Sequence, residues 1–141
     1  MQLPLEEVDL DDFRALLELN LVAPLAAMQA VIPIMRRQGR GAIVNISSGT
    51  SRIVIPGVGA YSATKSALNM MSQVARAELA ADGINVSVVY PNVTVTEFFD
   101  VLRAGVPTRS AGAAGQSAES VAELILDVVR DGRAEAFAAY P

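Results

Sequence analysis

Apolar side chains at Phe13, Leu16, Leu17, Leu21, Leu25, Met28 and Ile32 follow the three-four spacing that gathers residues on one face of a helix. Asp9 stands before this run as an N-cap, with Asp12 three residues on, so the pattern predicts a long amphipathic helix over residues 9–38. Asn20 falls on the apolar face, where an amide needs partners. Pro24 has no N–H to offer the Asn20 carbonyl, so the helix is expected to bend there.

A second kind of pattern follows. Residues 41–46, Gly-Ala-Ile-Val-Asn-Ile, and residues 84–90, Ile-Asn-Val-Ser-Val-Val-Tyr, are short and mostly apolar, as expected of strands covered on both faces. The helical period returns between them over 61–82 and stops at Gly83. Strand, helix and strand at this spacing form a right-handed crossover, which makes the fold α/β with a parallel sheet. Residues 103–116 are small, polar and glycine-rich, and are expected to form a mobile loop or lid. A last helix starts after the N-cap Ser117, aligns Val121, Leu124, Ile125, Val128 and Val129, and ends at Gly132. Residues 134–140 are a candidate final strand, and the 141 residues make one domain without repeats.

Composition narrows the chemistry. The chain has no Cys and no His, which removes disulfides, thiolate nucleophiles, zinc sites built on those ligands and Ser-His-Asp triads. With 11 basic and 15 acidic residues it has no basic stripe, so no nucleic-acid partner is expected. Arg36, Arg37 and Arg40 complement the negative end of the first helix. No signal peptide and no uninterrupted apolar run of about 18 residues is found, so the expectation is a cytoplasmic protein without a membrane anchor. The sequons at Asn45, Asn85 and Asn92 are then chance matches, two of them inside predicted strands.

In an open parallel sheet the ligand lies outside the carboxyl ends of the strands. Ser47 and Ser48 stand at that end of one strand and residues 91–96 at that end of the next. Tyr61 and Lys65, four apart at the head of the connecting helix, project toward the same place. A phenol is too weak an acid to work at neutral pH, but a neighbouring ammonium stabilises the phenolate. With a Ser48 hydroxyl on the substrate oxygen, such a set polarises a carbonyl for hydride addition or prepares an alcohol for hydride loss. Tyr-x-x-x-Lys alone is a common chance pairing.

Four segments in order carry a resemblance: Asn20-Leu-Val-Ala-Pro24, Asn45-Ile-Ser-Ser48, Tyr61-Ser-Ala-Thr-Lys65 and Tyr90-Pro-Asn-Val-Thr-Val-Thr96. Together they resemble the short-chain dehydrogenase/reductase family, over nearly the whole chain but only about the C-terminal half of that family's domain. The resemblance implies a partial Rossmann-like, doubly wound sheet without its first nucleotide-binding half. It implies Tyr61 as general acid/base and Ser48 as the group orienting the substrate oxygen. Lys65 would lower the Tyr61 pKa and bind the nicotinamide ribose, and the Asn20 carbonyl would hold a water leading to Lys65. Cofactor contacts would come from Tyr61, Lys65, Pro91, Asn92, Thr94 and Thr96. The implied cofactor is NAD or NADP, the substrate a small carbonyl or alcohol, and the assembly a homo-oligomer through the helices starting at Asp9 and Tyr61.

Two departures stand out. Asn92 replaces the family's glycine, and Asn is the residue other than glycine that best accepts a left-handed backbone. No glycine-rich phosphate loop heads a strand and helix, and Gly57-Val-Gly59 lacks the third glycine. Three readings remain: an oxidoreductase represented by a truncated form, a non-catalytic remnant serving as an oligomerisation or regulatory module, and a Ser-Lys acyl-transfer enzyme built on Ser62-Ala-Thr-Lys65. The substrate pocket would be shaped by residues 98–116.

Overall fold

A computed structural model describes residues 2–94, 96 and 115–138. After a single tight turn at Leu5–Glu7, α1 (Leu10–Leu17) begins where the sequence places it. The Asp9 carboxylate accepts the main-chain N–H groups of Asp11 at 2.8 Å and Asp12 at 3.1 Å, satisfying donors that have no partner inside the helix. The expected single helix is interrupted by one widened turn, Glu18–Val22, after which α2 runs over Ala23–Gln38. Within that turn the Ala23 N–H reaches back five residues to the Glu18 carbonyl. Pro24 can donate nothing to Asn20, and the wider turn is how the chain absorbs the missing bond. Met28 is 3% exposed as its position predicts, whereas Leu25 is 40% exposed.

β1 (Gly41–Ile46) and β2 (Ile84–Tyr90) match the expected bounds and pair in parallel, Gly41 opposite Ile84 through Ile46 opposite Val89. Between them α3 (Gly59–Leu79) starts two residues earlier than its period suggested and closes in a tight turn, Ala80–Asp82. Gly83, at φ +71, brings α3 against the end of α2: a Cβ there would stand 2.5 Å from the Gly39 carbonyl oxygen. Only glycine fits on both counts. Arg36, in the last turn of α2 as expected, also pairs with Asp82 across this junction, N to O 2.7 Å.

α4 (Ala118–Asp131) leads to β3 (Glu135–Phe137), which pairs in parallel with β2 and is shorter than the 134–140 predicted. The sheet order is β1-β2-β3. Alternation along β2 divides the core. Ile84 and Val86 face Met28, Ala75 and Leu79 of α2 and α3, whereas Val89 faces Val128 of α4 and Ala136 of β3. The fold is thus α/β, a parallel sheet flanked by helices on both faces. Of the expected mobile segment 103–116, all but the last two residues lie outside the described ones; Gln116 is tied to the end of β2 by its N–H on the Val93 carbonyl, 2.9 Å.

The stretch Leu10–Gln38 departs from expectation in hydropathy. An 18-residue window reaches a mean hydropathy of 1.7 with only 11% of it buried, so by length and composition this helical stretch could cross a membrane. Reading uninterrupted apolar runs misses it because scattered polar residues break the run without lowering the average. Its inner face packs on the sheet and α3, and Leu19, Val22, Leu25 and Ile34 remain exposed.

Candidate functional site

The Ser48 turn is built by the chain leaving β1. Ser48 caps a single turn, Gly49–Ser51, and its Oγ accepts from the Thr50 N–H at 3.3 Å and the Thr50 Oγ1 hydroxyl at 3.0 Å. A serine oxygen has two acceptor positions and one proton. With both positions engaged by Thr50, the Ser48 proton is left for another oxygen, and the Tyr61 phenol is its hydrogen-bond partner here.

α3 carries Tyr61 and Lys65 to the same end of the sheet. The Lys65 ammonium donates to the Ile46 carbonyl at 2.9 Å and lies 5.8 Å from the Tyr61 ring centre. Gly41 and Ser47 donate their N–H groups to the β2 side, so the two-residue period turns Ala42, Val44 and Ile46 to the opposite edge of β1. Lys65 therefore sits on the outer edge of β1, and among the described residues no strand pairs there.

Burial pushes the Tyr61 phenol above its ordinary value, and a hydrogen bond with Ser48 pulls part of the way back. Burial pushes the Lys65 ammonium below its ordinary value. The net direction at Tyr61 is therefore upward, and Lys65 is not among its causes. Taking a phenolate out of water is the largest cause, and the Lys65 ammonium is held on Ile46, 5.8 Å from the ring centre.

Asn20 enters the site through its side chain. Its Nδ2 donates to Thr64 Oγ1 at 3.1 Å, and Thr64 donates to the Tyr61 carbonyl at 2.8 Å. Thr64 is fully buried. Reading the sequence for chemistry passed over it, although Tyr61, Thr64, Lys65, Asn69 and Ser72 form a polar stripe at helical spacing on an otherwise apolar face. Asn45, on β1, joins that stripe by donating to Ser72 Oγ at 2.8 Å.

The segment after β2 is held rather than open. The Pro91 carbonyl accepts from the Gly49 N–H at 3.3 Å, which brings it beside the Ser48 turn. Asn92 Nδ2 donates to the Ala138 carbonyl at 3.1 Å, and the Asn92 carbonyl receives Thr94 Oγ1 at 2.9 Å. Thr94 also accepts from Gln116 Nε2 at 3.0 Å. Every positive φ among the described residues belongs to glycine, so Asn92 does not use the left-handed backbone expected of it. Thr96 lies at the surface. Next to this segment a recess of about 190 Å³ opens between Gly49, Arg52, Asn92 and the stacked rings of Tyr90 and Phe137.

The site fits one part of a nicotinamide cofactor. Of its three N–H donors, Lys65 uses one on Ile46, leaving ammonium donors of the kind a ribose diol accepts, beside a phenol at the sheet's carboxyl end. Nothing comparable is present for a pyrophosphate among the described residues. Ser62 Oγ is buried without a hydrogen-bond partner and Lys65 is turned to Ile46, so the acyl-transfer reading loses both its nucleophile and its base. No group of three metal-ligating acidic side chains occurs among the described residues.

The sequence profile of the short chain dehydrogenase family matches residues 1–106, and the chain belongs to that family. An oxidoreductase of Botryotinia fuckeliana is 39% identical over 93 residues, 66% of this chain and 34% of its own length. A short-chain dehydrogenase from Sphingobium yanoikuyae, solved with NADPH, superposes with a TM-score of 0.85 at 26% identity, covering 97% of this chain and 52% of the other. A gluconate 5-dehydrogenase from Burkholderia cenocepacia, in complex with NADP and tartrate, gives 0.82 at 25% identity, over 98% and 58%. The chain thus spans about a third of the length of such curated relatives and a little over half of the solved neighbours.

Proposed function

We propose that these residues are the catalytic, C-terminal half of a short-chain dehydrogenase/reductase domain that moves a hydride between NAD or NADP and a small carbonyl or alcohol. The observation that carries this reading is the convergence of Ser48, Tyr61 and Lys65 at the carboxyl end of a parallel sheet. When bound, the nicotinamide supplies or accepts the hydride. Ser48, its acceptor positions occupied, donates to the substrate oxygen. Tyr61 gives that oxygen its proton in reduction and takes it in oxidation. Lys65 holds the ribose, and the Asn20 carbonyl, which Pro24 cannot bond, holds a water that leads to Lys65. Pro91, Asn92, Thr94 and Thr96 would border the nicotinamide.

The exposed apolar residues of the helices starting at Asp9 and near Tyr61, among them Leu19, Val22, Met70 and Val74, support self-association of a cytoplasmic protein through those helices. The same surface supports a second reading, a non-catalytic remnant that acts as an oligomerisation or regulatory module. Titrating the purified chain with NADH and NADPH separates the two. Binding with turnover of a carbonyl substrate removes the remnant, and no binding at millimolar cofactor removes an active isolated chain. In a full-length parent Tyr61→Phe should abolish turnover, by about 100-fold or more, with cofactor binding nearly intact. Retained activity would show that another group is the acid.

A further inference from the structure

We propose that Asn69 is a positioning residue for Ser48, acting through the Ser51 hydroxyl. The role rests on reading Ser48 as the holder of the substrate oxygen. Asn69 lies on α3 two turns beyond Tyr61 and one beyond Lys65, and is 6% exposed. Its Nδ2 stands 2.9 Å from Ser51 Oγ, which stands 2.7 Å from the Ser48 carbonyl oxygen.

The direction of every proton in this chain follows from its members. A carbonyl only accepts, so the single Ser51 hydroxyl proton goes to Ser48. Ser51 must then accept from Asn69, which fixes the amide with its nitrogen toward Ser51. The Ser47 hydroxyl, 3.3 Å away, supplies the remaining donor. Ser51 is left saturated, one bond out and two in.

The amide orientation has a cost. Asn69 Oδ1 is buried without a hydrogen-bond partner, a penalty that an apolar residue at this position would avoid. The Asn69 nitrogen ties the Ser48 turn to the helix that carries Tyr61 and Lys65. Its companion tie, Ser66 Oγ on the Ser51 carbonyl at 3.2 Å, is exposed to water. Without Asn69 the Ser48 turn and the Tyr61 helix lose their buried connection through Ser51, and the bond that Ser48 makes with the phenol loosens.

The test needs neither cofactor nor turnover. The 141-residue chain is labelled with ¹³C at the tyrosine ring carbon bearing oxygen, and its three tyrosines are titrated by NMR, Tyr61→Phe assigning the Tyr61 signal. Lys65, the charged neighbour of Tyr61, is present in every variant. Asn69→Leu and Ser51→Ala should each raise the Tyr61 midpoint, and combining them should raise it no further. Tyr90 should not move. Ser51→Thr keeps the hydroxyl and should stay at the wild-type midpoint. An unmoved Tyr61 in folded Asn69→Leu or Ser51→Ala overturns the proposal. So does an equal shift of Tyr61 and Tyr90, or a Ser51→Thr midpoint that follows Ser51→Ala. Ser51→Ala deletes one oxygen atom and serves if Asn69→Leu does not fold. Turnover surviving Tyr61→Phe would sink the proposed reaction and leave these midpoints untouched.

Discussion

β1 and β2 are built from similar residues and lie side by side in register, yet they live in different surroundings. Val89 is completely buried, whereas its register partner Ile46 is 38% exposed. β2 has a strand on either side; β1 has one only along its inner edge among the described residues. Apolar sequence therefore states a demand for cover, and the number of neighbours decides whether the demand is met. The unmet side of β1 is also where Lys65 stands, which places the proposed cofactor site at a boundary that a further strand would complete.

The largest test of that contrast is to put the same charge on both members of the register pair. Val89→Asp should cost about 4 kcal/mol or more and leave little folded protein, because the carboxylate has neither water nor a partner. Ile46→Asp should cost less than about 1 kcal/mol. Urea denaturation measures both, and equal costs would mean that Ile46 is covered in solution.

A proline pair distinguishes the two edges of β1 itself. Ile43→Pro removes an N–H aimed at β2, whereas Val44→Pro removes one aimed outward. The first should be worse by about 1–3 kcal/mol. If the two cost the same, another chain pairs with the outer edge, which size-exclusion chromatography would reveal.

The strand ends differ in their pH response. Tyr90, at the end of β2, is pushed up to about 12 by burial and by the Glu135 carboxylate that accepts its hydroxyl at 2.7 Å. The unfolded chain releases this proton near pH 10 and the fold keeps it until about 12, so the stabilisation is complete below pH 10 and is lost as pH rises toward 12. Tyr61, also raised, acts in the same direction. Lys65, lowered, acts in the opposite one, but its gain is complete by about pH 10.5, its ordinary value. Urea midpoints between pH 10.5 and 12 should therefore fall, and should fall less steeply in Tyr90→Phe. A parallel slope would show that the Tyr90 proton is not held.

The smallest effect belongs to the solvated surface. Arg130→Ala breaks a pair with Asp127 whose side chains are 73% and 55% exposed, and should change stability by no more than about 0.5 kcal/mol. A larger loss would mean that this face of α4 is covered.

Much of this was legible in the residues. Both long strands kept their predicted bounds because a short apolar run between glycines and serines has few other uses. The caps at Asp9 and Ser117 held because a side-chain oxygen before a helical run answers N–H groups that nothing else in the helix can. Tyr61, Lys65 and Ser48 could be singled out because residue type and spacing put them at one end of the sheet, and the roles proposed for them rest on the family resemblance. The widened turn was only half foreseen: Pro24 announced a missing bond, but a bend and an extra residue in the turn answer it equally well. Thr64, Thr50, Ser51 and Asn69 escaped notice because a hydroxyl or an amide gains its role from the partner it meets, and those partners come from other elements.

The net direction at Tyr61 has the same origin. An ammonium four residues away is local information, and it pointed downward. Burial sums over the whole surroundings, and it points up. Periodicity, capping and the catalytic residue types act over a few positions, so the chain carried its α/β class and the Tyr61-Lys65 pair in its letters. Which edge Lys65 occupies, which way the Ser48 proton faces and what β1 leaves uncovered depend on distances between segments far apart in the chain, and only folding sets those.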